Sequence, residues 1–447
     1  MSETRNNAFW GWLVPALVAF GLFFSIATHL RVLTGGVVGP GEMLLLAAAA
    51  LGWAFGKPWQ QLKNPILWFW GLLAVTMGLG YVTGNLQGHW VIRNTQAYVF
   101  TGFIVVGLVS LLRTLSDEAL RRCLALLALV AAAGMWAGFV VHLIGDPALT
   151  QKFALNDLGD VRYAGWSENP NQLALFFIPL PVWLAALWRD VLKPRLSQTV
   201  GFGLLLLALM LMGLLVRSDG LFVVWVFEFA VLLVLRLRWD LKVSRMSLFG
   251  YAMAMVLCVL LIKTFAHGEV RKSFQCAAQT LGQGLNPWKA QCYTGSFDDK
   301  EAFRLGYSDP VEKTGIRGDL WRNGVKAWLE APVFGHGPGA YSWYSNPDYQ
   351  RGAEAEGKFR EEAHNIPIDL MTQGGVLLGA GWCGLLLYLL VGAWRIRDSY
   401  TFSVVLMVGV FTLFHYHIRQ PYLWFALIMS YEAIRRRMFV GGQRQDA

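Results

Sequence analysis

Runs of apolar residues long enough to cross a bilayer recur from one end of the chain to the other, separated by short basic loops. A hydrocarbon core ~30 Å thick takes about 20 apolar residues as a helix. Water is absent there, so backbone polar groups must be bonded within the span or a closed barrel, and runs of this length select helices. The runs cover residues 9–28, 37–55, 65–83, 96–112, 119–144, 171–188, 199–216, 220–237, 246–264, 366–392, 400–416 and 421–438. The expected fold is an all-α polytopic membrane protein of about twelve transmembrane helices. The first run lacks a small-residue cleavage site and reads as a retained helix rather than a signal peptide.

Only 15% of the 447 residues are charged, against about 25% in soluble domains, which excludes an ordinary soluble enzyme. The formal net charge of +9 is spread over the loops between apolar runs. A nucleic-acid binder would gather it in a stripe or tail, so no nucleic-acid partner is expected, only membrane lipids.

The same charges orient the chain. With the N-terminus in the cytoplasm, one set of loops holds Lys57, Lys63, Arg113, Arg121, Arg122, Arg189, Arg236, Arg238, Arg395 and Arg435. The opposite short loops hold far fewer basic residues, among them Arg31, Arg93, Arg162, Arg217 and Arg419. The positive-inside rule therefore places both termini in the cytoplasm, with an even number of spans. Residues 265–365 become a large exported loop between the ninth and tenth spans. The expected organisation is 1–264 for helices one to nine, 265–365 for the loop domain, and 366–447 for helices ten to twelve with a cytoplasmic tail. Cys276 and Cys292 lie in that loop, where an oxidising compartment permits a disulfide; their pairing stays open.

The informative polar residues gather on the exported side. Arg162 and Gly165 precede Asn169-Pro170-Asn171, which reads as a turn into the sixth span with Asn171 as its N-cap. Arg217 sits in a tight turn with Asp219 and Gly220. It either snorkels to lipid phosphate and Asp219 or offers its planar fork to an anionic ligand. Arg317 opens a short amphipathic helix running to Glu330, with Leu320, Trp321, Val325 and Trp328 at helical spacing. Pro332, Gly335, Gly337 and Gly339 end that helix. Residues 348–362 are charged and read as a mobile connector.

His364 and Asn365 stand where the loop meets the tenth span, followed by Asp369, Gln373, Gly374 and Gly375. A histidine there either is an amphipathic interface residue or works as a base near its ordinary pKa of ~6.5 on a hydroxyl approaching from the lipid surface. His415, His417 and Arg419, at another exported turn, read as packing or interfacial residues. Together, three exported arginines and one histidine suit a lipid-linked phosphate or pyrophosphate. No phosphate-binding P-loop, zinc-protease motif, nucleophile elbow or metal-ligand spacing is present, and no metal or cofactor is expected.

These residues resemble the O-antigen ligase and polymerase superfamily. The likeness rests on Arg162-x-x-Gly165 with Asn169-Pro-Asn171-x-Leu-Ala, on Arg317-x-x-x-Trp321 continuing to Glu330-x-Pro332-x-x-Gly335-x-Gly337-x-Gly339, and on His364-Asn365 with Gly374-Gly375 ten residues on. Their order along a multi-span chain with a large late exported loop carries more weight than any one piece. Within the superfamily the chain is most similar to the O-antigen ligase family of Gram-negative bacteria.

That resemblance implies a GT-C-like membrane glycosyltransferase fold, with the loop facing the periplasm from the inner membrane. It implies an inverting, metal-independent transfer of O-antigen glycan from undecaprenyl pyrophosphate to a sugar hydroxyl of the lipid A-core. It also implies His364 as general base and Arg217, Arg317 and Arg162 as pyrophosphate ligands, supported by Asn169, Asn171, Trp321, Asn365, Gly374 and Gly375. An O-antigen polymerase or a pilin-modifying O-oligosaccharyltransferase would share the donor chemistry. A lipid or polysaccharide transporter would use the arginines only to guide anionic cargo, and such carriers favour polar groups in broken helices at mid-membrane.

Overall fold

The computed structural model describes residues 2–34, 38–83, 89–144, 166–167, 170–189, 196–216, 219–239, 252–253, 256, 313–345 and 360–438. Its helices are α1 (Ser2–Ile26), α2 (Pro40–Phe55), α3 (Pro65–Thr83), α4 (His89–Thr114), α5 (Asp117–Ile144), α6 (Pro170–Phe177), α7 (Pro179–Arg189), α8 (Leu196–Leu215), α9 (Asp219–Trp239), α10 (Lys313–Glu330), α11 (Ile366–Arg395), α12 (Ser399–Thr412) and α13 (Pro421–Arg436). Among the described residues the sole β-type pairing is an isolated bridge between Ser342 and Glu361.

Local sequence sets many of the boundaries. Five of these helices begin on a proline, whose fixed φ suits the first turn and whose missing N–H would have had no helical partner. The Asn365 side chain caps α11 by accepting the Ile368 N–H at 3.0 Å. The Asp398 side chain caps α12 by accepting the N–H groups of Tyr400 and Thr401, each at 3.1 Å.

Among the described residues, five stretches are long and apolar enough to cross a membrane: Pro65–Thr83, Val91–Thr114, Asp117–Val141, Asn171–Trp188 and Ile366–Arg395. Shorter apolar helices, including α2 and α12, lie among them. The chain is a polytopic helical membrane protein. The expected ninth span lies outside the described residues apart from 252, 253 and 256, as do Cys276 and Cys292.

The sixth expected span is two helices, α6 and α7, joined at Ile178. Pro179 cannot donate to the helix ladder, and its ring disfavours a helical conformation at the residue before it. The helix also opens on Pro170, so Asn171 lies inside its first turn rather than at the expected cap position. The eleventh span stops at Thr412, leaving 413–420 as a non-helical turn.

Helices close up through small residues, as expected where lipid gives apolar side chains little reason to leave it. At the crossing of α2 and α4, a Cβ on Gly52 would come within 1.9 Å of the Gly107 carbonyl oxygen. Helix α3 packs along α11, α5 against α1 and α8, and α12 against α9, α11 and α13. The buried core runs through Leu22, Leu45, Leu108, Leu124, Phe176 and Phe425.

Polar groups collect at two opposite ends. At one, Arg436 donates to the carbonyls of Leu112, Arg113 and Leu115 and pairs with Asp117 at 3.1 Å. At the other, Arg419 bonds Asn94 and Glu362.

Candidate active site

His364 occupies the joint between the loop and α11 with φ +54°, a left-handed conformation uncommon outside glycine. The Asp369 side chain maintains it from one turn along the helix. One oxygen accepts the Ala363 N–H at 2.7 Å and the other accepts the Asn365 N–H at 3.1 Å, so both neighbours of His364 are held by one carboxylate. Asn365 also donates to the Leu413 carbonyl at 2.8 Å, tying this joint to the 413–420 turn.

Helix α10 lies over the joint. Gly324 permits the approach: a Cβ there would sit 2.7 Å from Ile368 and 3.2 Å from the Ala363 methyl. On the same face Trp321 meets Phe414, with ring centroids 6.0 Å apart. Arg317 belongs to the turn before Trp321 and therefore to the end of α10 on that side. The chain after α10 is anchored by Asp319, which accepts the Ser345 N–H and hydroxyl at 2.6 Å each. Asn323 donates to the Trp343 carbonyl at 2.7 Å.

The expected mobile connector is ordered at its end. Glu361 and Ser342 exchange backbone hydrogen bonds of 2.8 and 3.0 Å. Arg360 lies over the Trp343 ring at 4.7 Å, and Glu362 pairs with Arg419. Residues 360–362 thus become one wall of the site. Burial raises the Glu362 carboxyl above the ordinary glutamate range, opposed by the Arg419 charge.

Beneath this wall the glycine motifs form a clasp. Helix α11 is interrupted at Gly375, with φ 70° and ψ −174°. Carbonyls freed by the break accept from the loop: His336 N–H bonds Thr372 at 2.8 Å and Gly337 N–H bonds Gln373 at 2.9 Å, while Val376 N–H turns to Pro332 at 2.8 Å. Gly335 and Gly337 meet the need for positive φ on the loop side. Gly80 of α3 lets the same loop lie against the helix, since a Cβ there would come within 2.4 Å of the Gly337 nitrogen.

Around the clasp, Tyr98 donates to the Gln373 side-chain oxygen at 2.9 Å and Gln373 donates to the Tyr416 hydroxyl at 3.0 Å. The Arg419 guanidinium stands 5.3 Å from the centre of the Tyr416 ring. His415 and His417 stack with Phe411, their own centroids 5.6 Å apart. Burial first, then the neighbouring His364 and Arg419, pull the His417 imidazole down to about 3.

Residues 202–383 match the family described as O-antigen ligase. That stretch is similar to the O-antigen ligase family. None of the curated proteins matches the chain significantly. The matched stretch runs from α8 into α11 and contains α10, most of the glycine clasp and His364. The 413–420 turn and Asn94 lie outside the match, so the pair Glu362–Arg419 joins the matched stretch to the rest of the chain.

Of the sequence-derived candidates, His364, Asn365, Trp321, Gly374 and Gly375 come together here, with Arg317 on the same helix as Trp321. Asn171 belongs to α6, which packs against α1, α8 and α9. Arg162, Asn169 and Arg217 lie outside the described residues. Trp166, four residues after Arg162, donates its indole N–H to Gly134 at 2.8 Å and accepts from the His29 N–H at 3.1 Å. That end of its loop is thereby fixed to α5 and to the turn after α1.

Asp369, Gln373, Arg419, Asn94 and Tyr98 are additions to the site. A carboxylate and an amide inside an apolar run were the available signal, because polar groups in a membrane helix are costly unless partnered. Among the described residues, no group of three or more His, Cys, Asp and Glu is arranged to hold a metal ion.

Proposed function

We propose that this protein is an O-antigen ligase of the Gram-negative inner membrane, working at its periplasmic face. It moves a completed O-antigen glycan from undecaprenyl pyrophosphate to a sugar hydroxyl of the lipid A-core. The observation that supports this most is the coincidence of the O-antigen ligase match with a histidine held in a left-handed joint at the start of α11.

In this reading His364 takes the proton from the acceptor hydroxyl as its oxygen attacks the anomeric carbon. The bond from that carbon to the pyrophosphate oxygen breaks, and undecaprenyl pyrophosphate departs from the opposite face with inversion. General-base help of this kind is worth ~10²- to 10⁴-fold. Arg317, Arg217 and Arg162 hold the pyrophosphate and offset the charge that grows on it, a role in which fixed guanidinium forks replace a divalent ion. Activity should survive a chelator.

The test is a lipopolysaccharide gel from the host with the gene disrupted. Loss of the polymer ladder with intact core, and glycan accumulating on undecaprenyl pyrophosphate, is the expected result. Core bearing one repeat would identify a polymerase instead, and an unchanged ladder would overturn the proposal in favour of protein glycosylation or transport.

A further inference from the structure

We infer that the groove between α3 and α4 holds the hydrocarbon chain of the lipid-linked donor, an assignment that rests on the ligase reading above. The two helices enclose a cavity of about 810 Å³, lined on one side by Leu67, Gly71 and Gly78 and on the other by Val99 and Gly102. Trp59 stands at one end, Tyr98 and Pro338 at the other. From Leu67 to Tyr81, both in the lining, α3 rises about 21 Å at ~1.5 Å per residue. The groove therefore follows the hydrocarbon core for most of its depth.

Its walls are apolar until the end nearest the site, and that end is continuous with the polar cluster. The hydroxyl of Tyr98 bonds Gln373, and Gln373 bonds Tyr416. Tyr416 lies under Arg419, and Arg419 bonds Glu362, two residues before His364. Pro338 belongs to the clasp, directly after the Gly337 that donates to the Gln373 carbonyl. A donor must keep its chain in lipid while its pyrophosphate reaches His364 and Arg317. This groove joins those two environments.

Gly71 and Gly78 stand seven residues apart on one helical face, and a Cβ on either would meet nothing within 4 Å. Larger side chains at these positions extend into open groove without disturbing a neighbour. Gly384 of α11 also faces open space and lies away from the groove, which makes it the control.

The experiment uses the full chain in nanodiscs, comparing wild type, Gly71→Phe, Gly78→Phe and Gly384→Phe. Donor KM should rise at least ~10-fold in the first two, the loss expected when about two methylenes are kept from burial. Their kcat and acceptor KM should stay unchanged, as for lost uniform binding. An unchanged donor KM, or a fall confined to kcat, would overturn the assignment. A photoreactive polyprenyl phosphate gives a second reading that does not need turnover. It should label α3 and α4 peptides, with undecaprenyl phosphate competing. Competition by phosphatidylethanolamine instead would make the groove a site for bulk bilayer lipid and overturn the assignment. Specific labelling without any glycan transfer by wild type would overturn the ligase reading and leave the groove standing.

Discussion

The Asp369 carboxylate reaches back one helical turn to the Asn365 N–H at 3.1 Å while its other oxygen takes the Ala363 N–H at 2.7 Å. The residue between them is His364, in a left-handed conformation that costs a non-glycine residue ~1–3 kcal/mol. Two hydrogen bonds to one side chain, each worth ~0.5–1.5 kcal/mol, are enough to offset it. Asp369→Ala should lower the transfer rate by about 10- to 100-fold in protein that still folds, and Asp369→Asn, which keeps one acceptor oxygen, should lose less. Steady-state rates beside thermal unfolding in detergent check this; a fully active Asp369→Ala would show that His364 needs no such clamp.

The clasp at Gly375 predicts an unequal response among glycines of one helix. Its φ and ψ lie in a region that is nearly glycine-only, and a Cβ would be 1.9 Å from the Val333 oxygen. Gly375→Ala should cost more than ~3 kcal/mol, because backbone strain and a clash with main chain add. Gly384→Ala should be neutral or stabilising by up to ~1 kcal/mol. Thermal melts of the two variants decide it, and similar melting temperatures would contradict the clasp.

Removing Arg419 leaves Glu362 without its counter-charge. Both side chains keep some exposure, 29% and 23%, so Arg419→Ala should cost about 1–3 kcal/mol, below the ~3–5 kcal/mol of a fully buried pair. The sign with pH follows from the raised Glu362 pKa. An acid whose pKa rises on folding adds most stability below its unfolded value of ~4.3 and loses it as pH climbs through the folded value. The deficit of Arg419→Ala should be small near pH 4 and grow toward neutrality, and Glu362→Gln in the same background should remove that growth. A deficit independent of pH would show that the pair is not electrostatic in effect.

His417 behaves in the opposite sense. Its imidazole is pulled down to about 3, so the stability tied to its neutral form is complete above the ordinary ~6.5 and is lost as pH falls toward that lower value. His417→Gln should flatten the acid limb of the unfolding curve while leaving the pH dependence of transfer in place. A shifted rate profile would make His417, rather than His364, the titrating group.

Much of the helical frame was legible because apolar runs of bilayer length leave few alternatives; Pro65–Thr83 matches its expected span at both ends. The break at Ile178 could have been read from Pro179, but an unbroken hydropathy signal concealed it. In the site, His364, Asn365 and the glycines stood out by residue type, and so did the α10 helix by its spacing. Asp369 did not acquire a role until the backbone of His364 was known, because nothing in the residues alone reveals a left-handed joint. Arg419 read as an interfacial residue since its partners, Glu362 and Asn94, are 57 and 325 positions away, and no local pattern encodes such a meeting.

The most direct measurement is transfer by the purified chain from undecaprenyl pyrophosphate-linked O-antigen to lipid A-core, with wild type beside His364→Ala and with a chelator present. Wild type should form the linked product without added metal, and His364→Ala should be slower by ~10²-fold or more with donor binding retained. Equal rates for the two proteins would contradict the account.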